Sequence, residues 1–134
     1  MENQVGATHA SPLLDTIAYH SQIHLERGGV LELMGRVDEA EANYRAALEL
    51  SKDDAGLKAD AQFALGKLNR LRGDFEAALD WLAQTKEART MLEDTAGLAQ
   101  ALIETGMALY RKGEYARARE PLNEGLTLAQ EAGD

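Results

Sequence analysis

The 134-residue sequence contains no cysteine. This absence excludes disulfide cross-links, thiolate metal sites and thiol catalysis, and it fits a reducing cytoplasm, where we expect the protein to reside. Only two prolines are present and aromatic residues make up 5% of the chain. Alanine and leucine, both strong helix formers, supply most of the apolar residues. The composition therefore favours an all-α fold.

Basic residues are also scarce, with 14 lysines and arginines against 23 acidic residues and a formal net charge of −9. Nucleic acids and anionic membranes attract proteins through basic surfaces, so neither is an expected partner. No apolar run approaches the roughly 20 residues that a membrane helix needs. Residues 1–10 are polar and carry no cluster of positive charge, which predicts a flexible tail before a folded domain over residues 11–134.

An internal repeat is the strongest feature that the sequence does contain. A glycine pair with six residues between its members occurs three times, as Gly28 and Gly35, Gly66 and Gly73, and Gly106 and Gly113. A large apolar residue follows the second glycine after two positions and an alanine follows it after five, giving Val37 and Ala40, Phe75 and Ala78, and Tyr115 and Ala118. The unit recurs after 38 and then 40 residues, a period typical of helical-hairpin repeats.

The glycines mark helix ends and helix contacts. The second glycine of each pair follows a helical run, which is typical of a helix carboxyl terminus in the left-handed conformation. The first lies inside a helix, where glycine costs about 1 kcal/mol relative to alanine, so its recurrence indicates close helix packing. We predict first helices over Pro12–Met34, Leu57–Arg72 and Leu98–Lys112, second helices over Val37–Ser51, Asp74–Met91 and Glu114–Glu131, and polar links at residues 52–56 and 93–97.

These residues resemble the tetratricopeptide repeat family, in the branch with repeats of about 40 residues found in kinesin light chains and many bacterial regulators. The middle copy matches the family pattern at Gly66, Gly73, Phe75, Ala78 and Leu82. The chain departs from that pattern in its longer period and in lacking a proline that closes the second helix. The resemblance implies an all-α, right-handed superhelix of three helical hairpins, with repeats over residues 12–52, 57–92 and 98–131.

The resemblance also implies that the first helices line a concave groove that binds a peptide or a partner protein. The candidate groove residues are Phe63, Lys67, Arg70, Ile103, Met107, Tyr110 and Arg111. The three basic residues among them suit an acidic and partly hydrophobic peptide, although they are equally interpretable as solvated charges at helix ends. The clamp that some family members use for a terminal carboxylate is not expected, because Leu25, Gly29, Ala64, Gln100 and Glu104 occupy its positions.

Other candidate sites are weaker. His20 and His24 have the four-residue spacing of a metal-binding helix face, but the remaining histidine is His9 in the predicted tail, so neither a metal nor another cofactor is expected. No nucleophile lies in a recognisable catalytic motif, and we expect no enzyme activity. Trp81 is interpretable either as a packing residue or as an anchor for a partner.

The end of the repeat array predicts exposed apolar surface. Three hairpins are the usual minimum for such a stack, and Leu122, Leu126 and Leu128 would lie on the outer face of the third. An exposed face of this kind indicates a homodimer or a fragment of a longer array. The sequence therefore predicts a protein-interaction module, and the alternative is the sensor arm of a larger signalling or transcription-regulating protein.

Overall fold

The computed structural model describes residues 12–133, and the predicted tail and His9 lie outside the described residues. Within that range the chain forms helices and no strands. The helices are α1 (Pro12–Leu33), α2 (Val37–Leu50), α3 (Ala55–Arg72), α4 (Phe75–Met91), α5 (Thr95–Lys112) and α6 (Tyr115–Gly133). They pack as three consecutive hairpins, α1–α2, α3–α4 and α5–α6, which confirms the prediction of an all-α helical-hairpin solenoid.

The turn inside each hairpin is made by the second glycine of the pair. Gly35, Gly73 and Gly113 have φ angles of 79°, 85° and 94°, in the left-handed region that glycine enters without steric cost. At the α3–α4 turn, the amide of Gly73 donates to the carbonyl of Arg70 at 3.0 Å, and the amide that follows donates to a carbonyl five residues earlier. These bonds satisfy carbonyls that the helix end would otherwise leave unpaired, as predicted from the sequence.

The helices after the links begin earlier than predicted, α3 by two residues and α5 by three. Asp54 caps α3 by accepting a hydrogen bond from the amide of Leu57 at 3.0 Å, and Asp94 caps α5 by accepting one from the amide of Gly97 at 2.9 Å. Because each cap stands before its helix, Gly56 and Gly97 lie in the first helical turns. The prediction that these glycines end the links was wrong.

Close contact within each hairpin explains the first glycine of each pair. The second helix presses one large side chain against the backbone of that glycine, leaving no room for a β-carbon. The distances from an ideal β-carbon to the nearest side-chain atom are 2.4 Å for Gly28 and Tyr44, 2.9 Å for Gly66 and Leu82, and 2.4 Å for Gly106 and Leu122. The packing interpretation of these glycines is therefore confirmed.

The core is continuous from one hairpin to the next. Tyr44 of α2 packs with Leu65 and Leu68 of α3, all of them buried. Trp81 of α4 packs against the same cluster, and the guanidinium carbon of Arg45 lies 5.8 Å from its ring centroid. Trp81 therefore contributes to packing between the first two hairpins.

Candidate functional site

The predicted groove residues of α3 and α5 lie on helix faces that are joined by a contact. Phe63, Lys67 and Arg70 are spaced by four and three residues, so they share one face of α3. The same spacing recurs in α5 at Ile103, Met107 and Tyr110, followed by Arg111. Arg70 reaches Glu104 on α5 at 2.6 Å, so the two faces lie side by side.

Arg70 is part of a buried ion pair. Its Nε donates to Oε2 of Glu104 at 2.6 Å and its Nη2 donates to Oε1 at 3.5 Å. The exposed fractions of the two side chains are 8% and 13%. The charge of Arg70 is thus compensated within the protein. The main effect of this ion pair is to hold α3 against α5. Sequence reasoning missed this pairing, because the two residues are 34 positions apart.

Lys67 and Arg111 carry the uncompensated positive charge of this surface. Lys67 is partly buried and Arg111 is exposed. Neither forms an ion pair with another residue in the described range 12–133. An acidic group of a ligand could therefore approach both cations without displacing an internal partner.

The apolar residues of the surface differ in how much area they offer. Phe63 and Ile103 are partly buried, and the side chain of Ile103 fills the space beside Gly125 of α6. Met107 and Tyr110 are 37% and 57% exposed. Among the seven predicted groove residues, these two are the most exposed apolar ones.

At the end of this surface formed by the first hairpin, the charge is acidic instead of basic. Glu32 of α1 occupies the position that Arg70 has in α3. It accepts a hydrogen bond from the hydroxyl of Tyr44 at 2.8 Å. Burial, followed by this hydrogen bond, raises the pKa of the Tyr44 hydroxyl well above its usual range, so it stays a donor. The last turn of α1 carries no basic residue.

The histidines of α1 are not brought together with further ligands. Nδ1 of His24 is hydrogen-bonded to Oδ1 of Asn43 at 2.9 Å. Across residues 12–133, no three histidine, aspartate or glutamate side chains are grouped closely enough to hold a metal ion. Of the helices described, none is both long and apolar enough to cross a bilayer.

Comparison with known proteins agrees with the helical-hairpin fold. A family model of the tetratricopeptide repeat matches residues 19–91, more than half of the 134-residue chain. Photosystem I assembly protein Ycf3 of Acaryochloris marina (strain MBIC 11017) is 33% identical over 107 residues, which are 80% of this chain and 60% of that relative. The chain thus spans less than two thirds of the relative's length. Stacked hairpins of this kind present extended concave surfaces for protein interaction. The chain belongs to the tetratricopeptide repeat family.

Proposed function

We propose that this chain is a protein-interaction module whose groove surface on α1, α3 and α5 binds a peptide or an extended segment of a partner protein. One observation carries the proposal. Lys67 and Arg111, two cations with no ion-pair partner among residues 12–133, lie on the same predicted surface as the exposed Met107 and Tyr110. The chain as a whole has a net charge of −9, so this basic and apolar surface differs from the average of the chain. A surface of this kind is more typical of a binding site than of a region that only keeps the protein in solution.

The chemistry of the surface favours an acidic peptide with an apolar anchor. Carboxylates of the ligand would pair with Lys67 and Arg111, and an apolar side chain would pack on Met107 and Tyr110. Arg70 would act indirectly, because its bond to Glu104 holds α3 and α5 at a fixed separation. A preorganised surface of this kind lowers the entropic cost of binding.

The relative supports an interaction role of the scaffold type. That relative is an assembly protein for photosystem I, and the role proposed for this chain is the general one of bringing protein components together. A non-catalytic repeat protein is consistent with that role. A cytoplasmic location is part of the proposal, since a chain without cysteine needs no oxidising compartment.

The test is a capture experiment with two matched charge variants. Lys67→Glu with Arg111→Glu reverses both groove cations, and Lys52→Glu with Lys58→Glu makes the same charge change at exposed residues off the groove. Proteins captured from an extract of the source cells are identified by mass spectrometry and retested as purified binders. Far-ultraviolet circular dichroism checks that all variants fold. The groove variant should lose the partner, and the control variant should keep it.

Photo-crosslinking gives a second readout that does not depend on charge. A crosslinking amino acid at Met107 should capture the partner, whereas the same group at Lys52 should not. A partner that both charge variants retain, or that crosslinks at Lys52 and not at Met107, would show that another surface is the interface.

A further inference from the structure

Ion pairs connect each hairpin to the next in a repeated way. Arg72, in the last turn of α3, bonds to Asp38 at 2.8 Å and to Glu41 at 2.6 Å near the start of α2. Lys112, in the last turn of α5, bonds to Glu76 near the start of α4 at 2.8 Å. In both cases an acidic residue near the start of the second helix of one hairpin pairs with a basic residue at the end of the first helix of the next hairpin. This pattern of charges thus helps to determine which helices pack against each other.

The third hairpin departs from this pattern. The repeat periods place Ala116 of α6 at the position of Glu76, and Arg119 at the position of Glu41. Arg119 is exposed and makes no ion pair within residues 12–133. A base therefore stands on α6 where the first hairpin has an acid.

The same face of α6 has the shape and polarity of a helix-packing surface. In the first hairpin, Val37 and Leu48 of α2 are partly buried against the core cluster that contains Leu65 and Leu68 of α3. Their equivalents in the third hairpin, Tyr115 and Leu126, are 63% and 56% exposed. A shallow depression of about 420 Å³ lies beside them, lined by Tyr110, Tyr115, Ala118, Arg119, Leu122 and Asn123.

We propose that this outer face of α6, defined by Tyr115, Arg119, Leu122 and Leu126, binds an amphipathic helix of a partner protein that carries an acidic residue in its last turn. The helix would pack as α3 packs on α2 and α5 packs on α4. Its acidic residue would replace Arg72 or Lys112 and pair with Arg119. The surface adjoins the proposed groove at Tyr110, which lines both, but its charged residue, Arg119, is not a groove residue.

A second copy of this chain fits the face poorly. In a head-to-tail stack, α1 of the other copy would occupy the place of the docked helix. Arg27 of α1 stands at the position of Leu65, which is fully buried in α3. Stacking would therefore bury Arg27 against apolar residues, at the cost of an unpaired buried charge.

The probe for this face is a peptide with the sequence of α5, residues 95–112, because α5 packs on the equivalent face of α4. The peptide is fluorescently labelled and held helical by a staple on its solvent side, since isolated helices of this length are marginal. Two versions are compared, one with the natural Lys112 and one with Lys112→Glu, and Arg111 is replaced by glutamine in both. Each is titrated by fluorescence anisotropy against the full chain and against its Arg119→Glu variant.

The expected result is a charge-dependent reversal. The Lys112→Glu peptide should bind the natural chain about fivefold more tightly than the lysine peptide, which is the scale of one exposed ion pair. Against Arg119→Glu the order should reverse. The groove variant with Lys67→Glu and Arg111→Glu should bind both peptides as the natural chain does, which separates this face from the groove.

Three results would overturn the proposal. The first is equal affinity of the two peptides, or no binding of either up to about 1 mM. The second is a preference that only the groove variant alters. The third is self-association of the natural chain in sedimentation experiments that Arg119→Glu abolishes, which would assign the face to a second copy.

Discussion

Two adjacent glycines of α1 offer a sharp test of the packing inside a hairpin. Gly28 is buried against α2, and an added β-carbon would lie 2.4 Å from Cε1 and 2.7 Å from Cδ1 of Tyr44. At Gly29 an added β-carbon would have no neighbour within 4 Å. Replacing each by alanine makes the same chemical change, one residue apart in the same helix, so the two variants differ only in what the new methyl group contacts.

The two substitutions should have opposite signs. Alanine in place of glycine inside a helix stabilises by roughly 0.5–1 kcal/mol, and Gly29→Ala should show this gain in full. At Gly28 the gain is opposed by overlap with the ring of Tyr44, which is 4% exposed and held by its hydroxyl bond to Glu32. Overpacking of this kind costs about 1–3 kcal/mol, so Gly28→Ala should be destabilising by roughly 0.5–2 kcal/mol.

Urea unfolding followed by far-ultraviolet circular dichroism measures both free energies of unfolding. Gly66→Ala serves as an intermediate case, because its β-carbon would lie 2.9 Å from Cγ of Leu82, a side chain that can rotate more freely than a tyrosine ring. The expected order of stability is Gly29→Ala, then Gly66→Ala, then Gly28→Ala. Equal stabilisation by Gly28→Ala and Gly29→Ala would refute the reasoning that contact with Tyr44 requires glycine.

Three further changes have defined outcomes. Glu93 has a φ of 54°, in the left-handed region that is unfavourable for residues other than glycine. Glu93→Gly should therefore raise the free energy of unfolding, measured in urea titrations, by about 1 kcal/mol. No change would show that this conformation is unstrained. Arg70→Ala should lower it by roughly 3–5 kcal/mol by leaving Glu104 buried without a partner, and Arg70→Met with Glu104→Leu should recover most of that loss. The hydrogen bond from Arg45 lowers the pKa of Glu41, so the stability that Glu41 contributes is present above the usual carboxyl pKa and is lost as the pH falls through its lowered pKa. Glu41→Gln should therefore flatten the acid side of the curve of stability against pH, and an unchanged curve would contradict this assignment.

The features that the sequence predicted correctly are local or repeated. A left-handed turn depends on the few residues around one glycine, and three copies of the same turn made its interpretation secure. The close-packed alanines were equally visible, because Ala40, Ala78 and Ala118 recur at one register and are 0–2% exposed. The repeated spacing of residues and their helix propensities were sufficient to predict these features, since each hairpin repeats the same contacts.

The features that the sequence did not predict depend on packing between hairpins. Arg70 and Lys67 look alike in the sequence, as basic residues near the end of one helix. Only the position of α5 decides that Arg70 meets Glu104 while Lys67 has no acidic partner in the described residues.

The early starts of α3 and α5 were missed for a different reason, because a glycine in the first helical turn was interpreted as part of a link.

One position on the proposed groove surface differs in charge among the three hairpins. The glycine and alanine positions that pack inside a hairpin are the same in every copy, because the same internal contacts recur. One groove position instead carries Glu32, Arg70 and Tyr110 in turn, so it changes from acidic to basic to aromatic along the stack. Internal contacts account for the first two residues, because Glu32 accepts a hydrogen bond from Tyr44 and Arg70 pairs with Glu104, whereas Tyr110 is 57% exposed. The proposed groove is acidic at α1 and carries Lys67 and Arg111, which have no ion-pair partner within residues 12–133, at α3 and α5. This difference in charge favours one direction of a bound chain. The acidic part of a ligand should therefore lie over α3 and α5, away from Glu32.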